Sequence, residues 1–171
     1  MNIILTGFMG TGKTTVGRRV ADILKIPFLD VDETIQRQAG RSIAELFRSK
    51  GEAAFRALES ATIQELSMQK KAVISTGGGA LMNPQNRQFL ERSGVLVCLS
   101  ARAGTLLERL KDDLTRPLLA GEDREERINR LLEERKAVYA MCPVQVGTDS
   151  KTIEAVAQEV IEKIKPLWKG A

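Results

Sequence analysis

Gly7-Phe8-Met9-Gly10-Thr11-Gly12-Lys13-Thr14, close to the start of the chain, satisfies the pattern G-x-x-x-x-G-K-[ST] at every position. The stretch follows an apolar run, Asn2 to Thr6, and precedes a helical pattern, which is the setting in which it forms a phosphate-binding loop. Its glycines let consecutive backbone N–H groups turn toward a β-phosphate, at a helix N-terminus whose dipole favours anions. We therefore predict that Lys13 reaches the β- and γ-phosphates of a nucleoside triphosphate, and that the Thr14 hydroxyl contacts Mg²⁺. A glycine turn that merely joins a strand to a helix is the alternative interpretation.

Further short runs of β-branched and apolar residues follow, with helical patterns between them. They are Pro27 to Asp30, Ala72 to Thr76, Val95 to Leu99 and Val144 to Val146. Such alternation is typical of a parallel sheet with helices on both faces. The sequence therefore predicts an α/β fold with a three-layer αβα arrangement and a five-stranded parallel sheet, in a single domain over residues 1–171.

Two helix starts are marked by polar residues. Ser42 and Glu45 form a capping-box pair ahead of one helical pattern. Ser150 is predicted to start a closing amphipathic helix, because the residues from Ile153 to Ile164 carry apolar side chains at helical spacing.

Composition excludes several classes of protein and of chemistry. Apolar residues make up 43% of the chain and charged residues 28%, a balance typical of globular proteins. No apolar run approaches the roughly 20 residues that a transmembrane helix needs. Histidine is absent, so imidazole acid/base chemistry and histidine-built metal sites are excluded. Cys98 and Cys142 have no ligand-like spacing and are predicted to be buried packing residues.

The net charge of +4 does not by itself indicate nucleic-acid binding. Such binding requires basic stripes with stacking aromatics, and aromatic residues make up only 4% of the chain. We therefore expect neither a nucleic-acid nor a membrane partner, and we interpret the surplus arginines as recognition of a small polyanion. Because the first predicted strand begins directly after Met1, we expect no targeting segment and a cytoplasmic location.

Two aspartates end the second predicted strand, in the run Phe28-Leu29-Asp30-Val31-Asp32. Their spacing places both carboxylates on the same side of the strand end, at the edge where such sheets bind ligands. Capping of the next helix is the alternative for a strand-end aspartate. We predict that Asp30 holds Mg²⁺ through water and that Asp32 orients an acceptor hydroxyl or accepts its proton.

Arg56 is followed one helical turn later by Glu59, on a pattern in which Phe55 and Leu58 are predicted to face the core. A surface ion pair of small energetic weight is the alternative interpretation of the two charged residues.

Three other features carry chemistry. Thr76 to Gly79 follows the third predicted strand, and its adjacent glycines permit a small ligand to approach the backbone closely. Residues 111–124 interrupt helical periodicity and are predicted to form a mobile lid that contains Arg116. Arg135 lies on a helical pattern with Tyr139 one turn later.

Together, these motifs resemble the shikimate kinase family, in the same order along the chain. The family pattern joins G-x-x-G-x-G-K-[ST], a strand-end D-x-D, F-R-x-x-E, T-G-G-G, R-P-L-L and E-R-x-x-x-Y. The matching residues are Gly7 to Thr14, Asp30 with Asp32, Phe55-Arg56 with Glu59, Thr76 to Gly79, Arg116 to Leu119, and Glu134-Arg135 with Tyr139. The resemblance implies a phosphate-loop kinase with a lid over about residues 111–124 and a shikimate-binding helical region over about residues 32–60.

The activity implied is Mg²⁺-dependent transfer of the ATP γ-phosphoryl group to the 3-hydroxyl of shikimate, on the route to the aromatic amino acids, by a monomer. The residues implied to contact shikimate are Asp32, Arg56, Gly77, Gly78, Gly79 and Arg135. Those expected to contact ATP are Gly10, Thr11, Gly12, Lys13, Thr14, Thr15, Arg109 and Arg116. Within this set, the resemblance implies that Arg109 stacks on adenine and that Arg116 lies on the phosphates. The catalytic residues expected are Lys13, Asp32 and Arg116, and the Mg²⁺ ligands expected are Thr14 and Asp30.

Two other classes remain as alternatives. A gluconate-type or nucleoside monophosphate kinase has a similar architecture, and gluconate is also a carboxylated polyol, so arginines alone do not discriminate. A nucleotide-binding switch without catalytic activity predicts the loss of some acceptor residues, and every motif of the acceptor site is present.

Overall fold

A computed structural model of the protein describes residues 1–113, 117–119 and 123–167. Within these residues one sheet contains five parallel strands, in the order β2-β3-β1-β4-β5. The strands are β1 (Asn2–Gly7), β2 (Phe28–Asp30), β3 (Val73–Ser75), β4 (Gly94–Ser100) and β5 (Val144–Gly147). Each run identified in the sequence forms one strand, so the predicted α/β class with a five-stranded parallel sheet is confirmed.

The helices alternate with the strands along the chain. They are α1 (Lys13–Leu24), α2 (Val31–Ala39), α3 (Ile43–Ser67), α4 (Pro84–Ser93), α5 (Ala103–Leu110), α6 (Arg124–Ala140) and α7 (Ile153–Ile164). Of the helices that the structure describes, none is both long enough and apolar enough to cross a bilayer.

Helices cover both faces of the sheet, because alternate side chains of each strand point to opposite sides. Ile3 and Leu5 of β1 pack in one cluster with residues of α1 and α7. Ile4, between them, packs in a second cluster with residues of α2, α3 and α4. This is the predicted three-layer αβα arrangement. Cys98 and Cys142 are free and buried in the second cluster, as predicted.

The start of α3 confirms the capping box, and the start of α7 corrects the predicted cap. Ser42 Oγ accepts a hydrogen bond from the Glu45 N–H, while the Glu45 carboxylate accepts one from the Ser42 N–H. Thr152, not Ser150, caps α7, with its hydroxyl oxygen accepting from the Ala155 N–H at 3.2 Å. Ser150 has a φ of 53°, in the left-handed region, whereas an N-cap residue has an extended backbone.

Helix α3 is kinked at Gly51, whose φ of 78° and ψ of 170° are not helical. Beyond the kink the buried positions form one stripe that includes Phe55, Glu59 and Leu66 at helical spacing. Leu58 lies outside this stripe and is exposed, so its predicted core position is wrong. The polar residue Glu59 occupies the buried position that the apolar pattern assigned to Leu58.

The parallel arrangement brings the carboxyl ends of β1, β2 and β3 to one edge of the sheet. The residues that follow these strands are the phosphate loop, the aspartate pair and the glycine turn Gly77 to Gly79. In open α/β sheets, ligands bind outside this edge. The fold therefore assembles three of the sequence motifs in one place.

Candidate active site

The phosphate loop connects β1 to α1 in a conformation that requires glycine. Gly7 has a φ of 128°, and a Cβ added there would lie 2.1 Å from the carbonyl oxygen of Leu99. Gly12 has a φ of 86° immediately before α1 begins at Lys13. The Lys13 ammonium donates a hydrogen bond to the Phe8 carbonyl at 2.9 Å. It therefore lies against the phosphate loop, which is the position expected of a phosphate-binding lysine.

Asp30 caps α2 with one carboxylate oxygen and contacts the phosphate loop with the other. Helix capping therefore does not exclude the predicted Mg²⁺ role of this residue. Its Oδ1 accepts hydrogen bonds from the N–H groups of Asp32, at 3.0 Å, and Glu33, at 3.2 Å, and thereby caps α2. Its Oδ2 accepts a hydrogen bond from the Thr14 hydroxyl at 2.9 Å. The cap therefore fixes a carboxylate oxygen next to the threonine hydroxyl of the phosphate loop.

Asp32 and Glu59 both face the glycine turn. A Cβ added to Gly77 would lie 3.3 Å from Asp32 Oδ1 and 2.6 Å from Glu59 Oε1. A side chain at this position would have to displace the Glu59 carboxylate. The first-turn residue of α2 and a buried residue of α3 thus meet over the end of β3.

Arg56 and Glu59 do not form an ordinary surface ion pair. Arg56 Nη1 lies 2.8 Å from Glu59 Oε2, and Glu59 is only 1% exposed. Arg56 Nη2 also lies 3.1 Å from Glu52 Oε1. Burial raises the pKa of the Glu59 carboxyl, while the charge and hydrogen bond of Arg56 oppose that rise. The two carboxylates hold the Arg56 guanidinium beside the turn, where a Cβ on Gly79 would lie 2.8 Å from its Nη2.

Arg135 is a buried cation with an unused donor. It is 4% exposed, and it forms no ion pair with a carboxylate of the described residues. Its Nη1 has no hydrogen-bond partner within the described part of the chain, and it would lie 3.2 Å from a Cβ on Gly78. The guanidinium carbon lies 5.5 Å from the centre of the Phe8 ring, in the phosphate loop. A buried cation is costly unless it is paired, so this position fits an anionic ligand.

Arg109 connects α5 to the phosphate loop and to the segment after β5. Its guanidinium donates to the Gly10 carbonyl at 3.1 Å, the Thr148 hydroxyl at 3.0 Å and the Thr148 carbonyl at 3.0 Å. Asp149, the next residue, accepts hydrogen bonds from the Thr105 hydroxyl and the Arg102 N–H, and these bonds lower its pKa. The segment after β5 is thus anchored to α5 at two adjacent positions, Thr148 and Asp149.

One cavity of about 820 Å³ connects these groups. The predicted residues that line it are Gly10, Gly12, Lys13, Thr14, Thr15, Asp30, Asp32, Arg56, Gly77, Gly78, Gly79, Arg109 and Arg135. Thr11 does not line it, because its side chain is buried and its hydroxyl donates to the Phe8 carbonyl at 2.7 Å. Arg116 lies outside the described residues, as does part of the predicted lid. Leu118, which is described and belongs to that segment, also lines the cavity.

Glu59 and Tyr139 stand within the sequence motifs, but neither was predicted to be a site residue. Burial of a charged residue on the inner stripe of α3 could not be inferred from spacing alone. Tyr139 donates a hydrogen bond to the Gly78 carbonyl, 61 residues away along the chain, and local pattern carries no signal for such a contact. Thr148 and Asp149 were not predicted for the same reason, since their hydrogen-bond partners lie on or next to α5.

A phosphate loop faces a pocket with two arginines and an aspartate, at the carboxyl edge of a five-stranded parallel sheet. These features define a phosphate-loop kinase that acts on a small molecule.

The comparisons with known proteins agree on a narrower group. The family model described as "Shikimate kinase" matches residues 9–165. A shikimate kinase of Caldanaerobacter subterraneus subsp. tengcongensis is 48% identical over 160 residues, which cover 94% of each chain. One from Thermodesulfovibrio yellowstonii is 42% identical over 169 residues, covering 99% of this chain and 98% of that protein. The solved structure of a shikimate kinase from Acinetobacter baumannii in complex with shikimate has a TM-score of 0.93, 38% identity, and coverage of 95% and 92%.

The chain belongs to the shikimate kinase family. The resemblance stated from six motifs is therefore confirmed over nearly the whole chain.

Proposed function

We propose that this protein transfers the γ-phosphoryl group of ATP to the 3-hydroxyl of shikimate, giving shikimate 3-phosphate and ADP, on the route to the aromatic amino acids. The observation that carries the proposal is Arg135, a buried guanidinium without a carboxylate partner in the described chain, beside Arg56 and the glycine turn. A planar carboxylate matches the forked donors of arginine, so the acid group of shikimate fits this position.

The acceptor pocket holds the substrate by complementary groups on several elements. Arg56 and Arg135 bind the carboxylate, while the glycine turn allows the ring to approach the backbone closely. Asp32 accepts a hydrogen bond from the 3-hydroxyl, which turns the nucleophilic oxygen toward the phosphate loop. A cyclic hydroxy acid is thereby held by its charge at one end and by its reacting hydroxyl at the other.

The residues of the phosphate loop stabilise the charge that develops during transfer. Backbone N–H groups and Lys13 bind the β- and γ-phosphates. The hydroxyl oxygen forms a bond to the γ-phosphorus as the bond to the β-phosphate oxygen breaks, and the hydroxyl proton passes to Asp32. We assign to Arg116, by the resemblance, a further contact with the phosphates when the segment over residues 111–124 closes and excludes water.

Thr14 and Asp30 fit the requirements of Mg²⁺. Oxygen donors are the ligands that Mg²⁺ prefers, and it usually takes one or two of them from the protein while phosphates and waters complete its octahedron. The Thr14 hydroxyl and Asp30 Oδ2 lie 2.9 Å apart beside the loop, so Thr14 would hold the ion through its hydroxyl and Asp30 would hold it through water. When bound, Mg²⁺ neutralises phosphate charge. Asp30 keeps its capping bonds through the other carboxylate oxygen.

We further propose a cytoplasmic monomer that folds as one domain over residues 1–171, with Arg109 against the adenine. Arg109 borders the phosphate loop at Gly10 and the segment after β5 at Thr148, which are the two walls that an extended nucleotide would meet.

Release of ADP from Mg-ATP by the purified protein tests the proposal. The rate is measured with shikimate, with gluconate, with nucleoside monophosphates and without an acceptor. We expect ADP release with shikimate only. Lys13→Met is expected to abolish it, whereas Lys25→Met, which removes an exposed lysine at the end of α1, serves as the control. An equal rate with gluconate or a nucleoside monophosphate would assign the protein a different acceptor.

A further inference from the structure

The glycine turn has three consecutive carbonyl groups, and each is satisfied by a different donor. The Ala80 N–H donates to the Gly77 carbonyl at 3.1 Å, and the Met82 N–H donates to the Gly79 carbonyl at 3.0 Å. Both donors belong to the 3₁₀ turn Ala80–Met82 that follows directly. The Gly78 carbonyl between them accepts from the Tyr139 hydroxyl at 2.5 Å. The carbonyl that the local backbone leaves open is therefore held by a side chain of α6.

The same face of α6 carries Arg135, the cation that we propose binds the carboxylate of the acceptor. Tyr139 follows Arg135 by four residues, a spacing that places both side chains on one side of the helix. Arg135 Nη1 would lie 3.2 Å from a Cβ on Gly78, so both side chains meet the same residue of the turn. Burial raises the pKa of Tyr139 to about 12, against the opposing charge and hydrogen bond of Arg135, so its hydroxyl stays protonated and able to donate.

Because the peptide bond is planar, the hydrogen bond from Tyr139 to the Gly78 carbonyl also fixes the direction of the Gly79 N–H. The Gly78 carbonyl and the Gly79 N–H belong to one rigid plane and point in opposite directions. The Gly79 N–H donates no hydrogen bond to another residue of the described chain, and Gly79 lines the main cavity. Consecutive glycines have wide backbone freedom, so an unrestrained turn would sample several orientations of this donor.

We propose that Tyr139 is a positioning residue for the acceptor: its hydroxyl fixes the Gly78–Gly79 peptide, so that the Gly79 N–H and the Arg135 guanidinium meet the acceptor together. The inference rests on the proposed function, because it concerns the same acceptor pocket. It assigns to Tyr139 an effect on acceptor affinity that acts through the turn and leaves the nucleotide site unchanged.

Tyr139→Phe removes the hydroxyl and keeps the ring. Calorimetric titration of the full-length protein with shikimate is expected to show affinity reduced about tenfold, equivalent to about 1.4 kcal/mol. The affinity for Mg-ADP is expected to stay within about twofold. Ser93→Ala is the matched control, because the Ser93 hydroxyl also donates to a backbone carbonyl, that of Leu90 at 3.0 Å, at the end of α4. It is expected to change neither affinity.

A second measurement does not depend on a variant. Tyr139 is the only tyrosine of the chain, so a ¹³C-tyrosine label gives one ring signal without assignment work. Saturation with shikimate is expected to shift this signal and saturation with Mg-ADP to leave it nearly unchanged. No shift with shikimate would reject the inference.

The outcomes separate this inference from the proposed function. Unchanged shikimate affinity in Tyr139→Phe would reject the inference alone. A parallel loss of shikimate affinity, Mg-ADP affinity and melting temperature would show a general structural role and would also reject it. Failure of the wild-type protein to bind shikimate would reject the proposed function itself, and the inference with it.

Discussion

Replacement of Arg135 by alanine should separate acceptor binding from nucleotide binding more cleanly than any other change at this site. Arg135 is 4% exposed, and its Nη1 has no hydrogen-bond partner within the described chain. A bound carboxylate would therefore accept a hydrogen bond from a donor that no protein group uses. A hydrogen bond to a charged group contributes about 1.5–3 kcal/mol. This range corresponds to a loss of about 10- to 150-fold in shikimate affinity.

Arg56→Ala provides the internal comparison. Its guanidinium already contacts Glu59 at 2.8 Å and Glu52 at 3.1 Å, so part of its charge is balanced before the acceptor arrives. Its removal leaves the buried Glu59 carboxylate without its arginine. Breaking a fully buried pair costs about 3–5 kcal/mol, and we expect a smaller loss here because the Arg56 side chain is 29% exposed. We therefore expect Arg56→Ala to lower the melting temperature more than Arg135→Ala, although both weaken shikimate binding.

The assay is calorimetric titration of each variant with shikimate and with Mg-ADP, accompanied by thermal unfolding. Lys136→Ala removes the next cation on α6, which is exposed and paired with Glu133, and should change neither affinity. An Arg135→Ala protein that keeps wild-type shikimate affinity would refute the assignment of the carboxylate to this guanidinium. A loss confined to Mg-ADP would place Arg135 in the nucleotide site instead.

The remaining predictions concern Glu59 and Gly79. Because the pKa of Glu59 is raised by burial, the folded state binds its proton more tightly than the unfolded chain, and the stabilisation this provides is lost as the pH rises through the raised pKa. Denaturant unfolding measures the stability of the wild type relative to Glu59→Gln. This relative stability should fall as the pH rises above about 4.5, the ordinary pKa of a glutamate carboxyl. A relative stability of the wild type that increases with pH would contradict this. For Gly79→Ala, the added Cβ would lie 2.8 Å from Arg56 Nη2, the flexible end of a side chain, so the fold should persist while the KM for shikimate rises and the KM for ATP does not. An unchanged KM for shikimate in this variant would show that Arg56 moves without consequence for the acceptor.

The layout of the sheet was accessible from the sequence because strands and phosphate loops have local signals. Each strand of the sheet coincides with an apolar run, and the phosphate loop follows β1 as its mechanism requires. The cap of α7 was misplaced by two residues because Ser150 and Thr152 are both good caps by type. The backbone of Ser150, in the left-handed region, decides between them, and a single sequence does not reveal it.

The side-chain contacts within the acceptor pocket could not be predicted from the sequence, because they join segments that are distant along the chain. The apolar pattern of α3 suggested Leu58 as a core residue, yet the buried stripe after the kink at Gly51 includes Glu59. The pair Asp30 and Asp32 was recognised, but the division of labour within Asp30 required the coordinates. One of its oxygens caps α2 and the other contacts Thr14. Spacing predicts which residues meet along one element, whereas packing decides which meet across elements.

The two arginines of the pocket differ in electrostatic state, and under the proposed function we expect this difference to favour an acidic acceptor. Arg56 is balanced by Glu59 and Glu52, so it is held in place before any ligand arrives. Arg135 forms no ion pair within the described chain, although its charge is close enough to lower the pKa of Glu59, so its burial is only partly compensated until an anion binds. A neutral polyol would bring no anion to Arg135, so this buried cation would gain no ion pair from the ligand. Under the proposed function, we therefore expect discrimination against uncharged acceptors to come from the penalty of the unpaired cation as much as from attraction to the correct carboxylate.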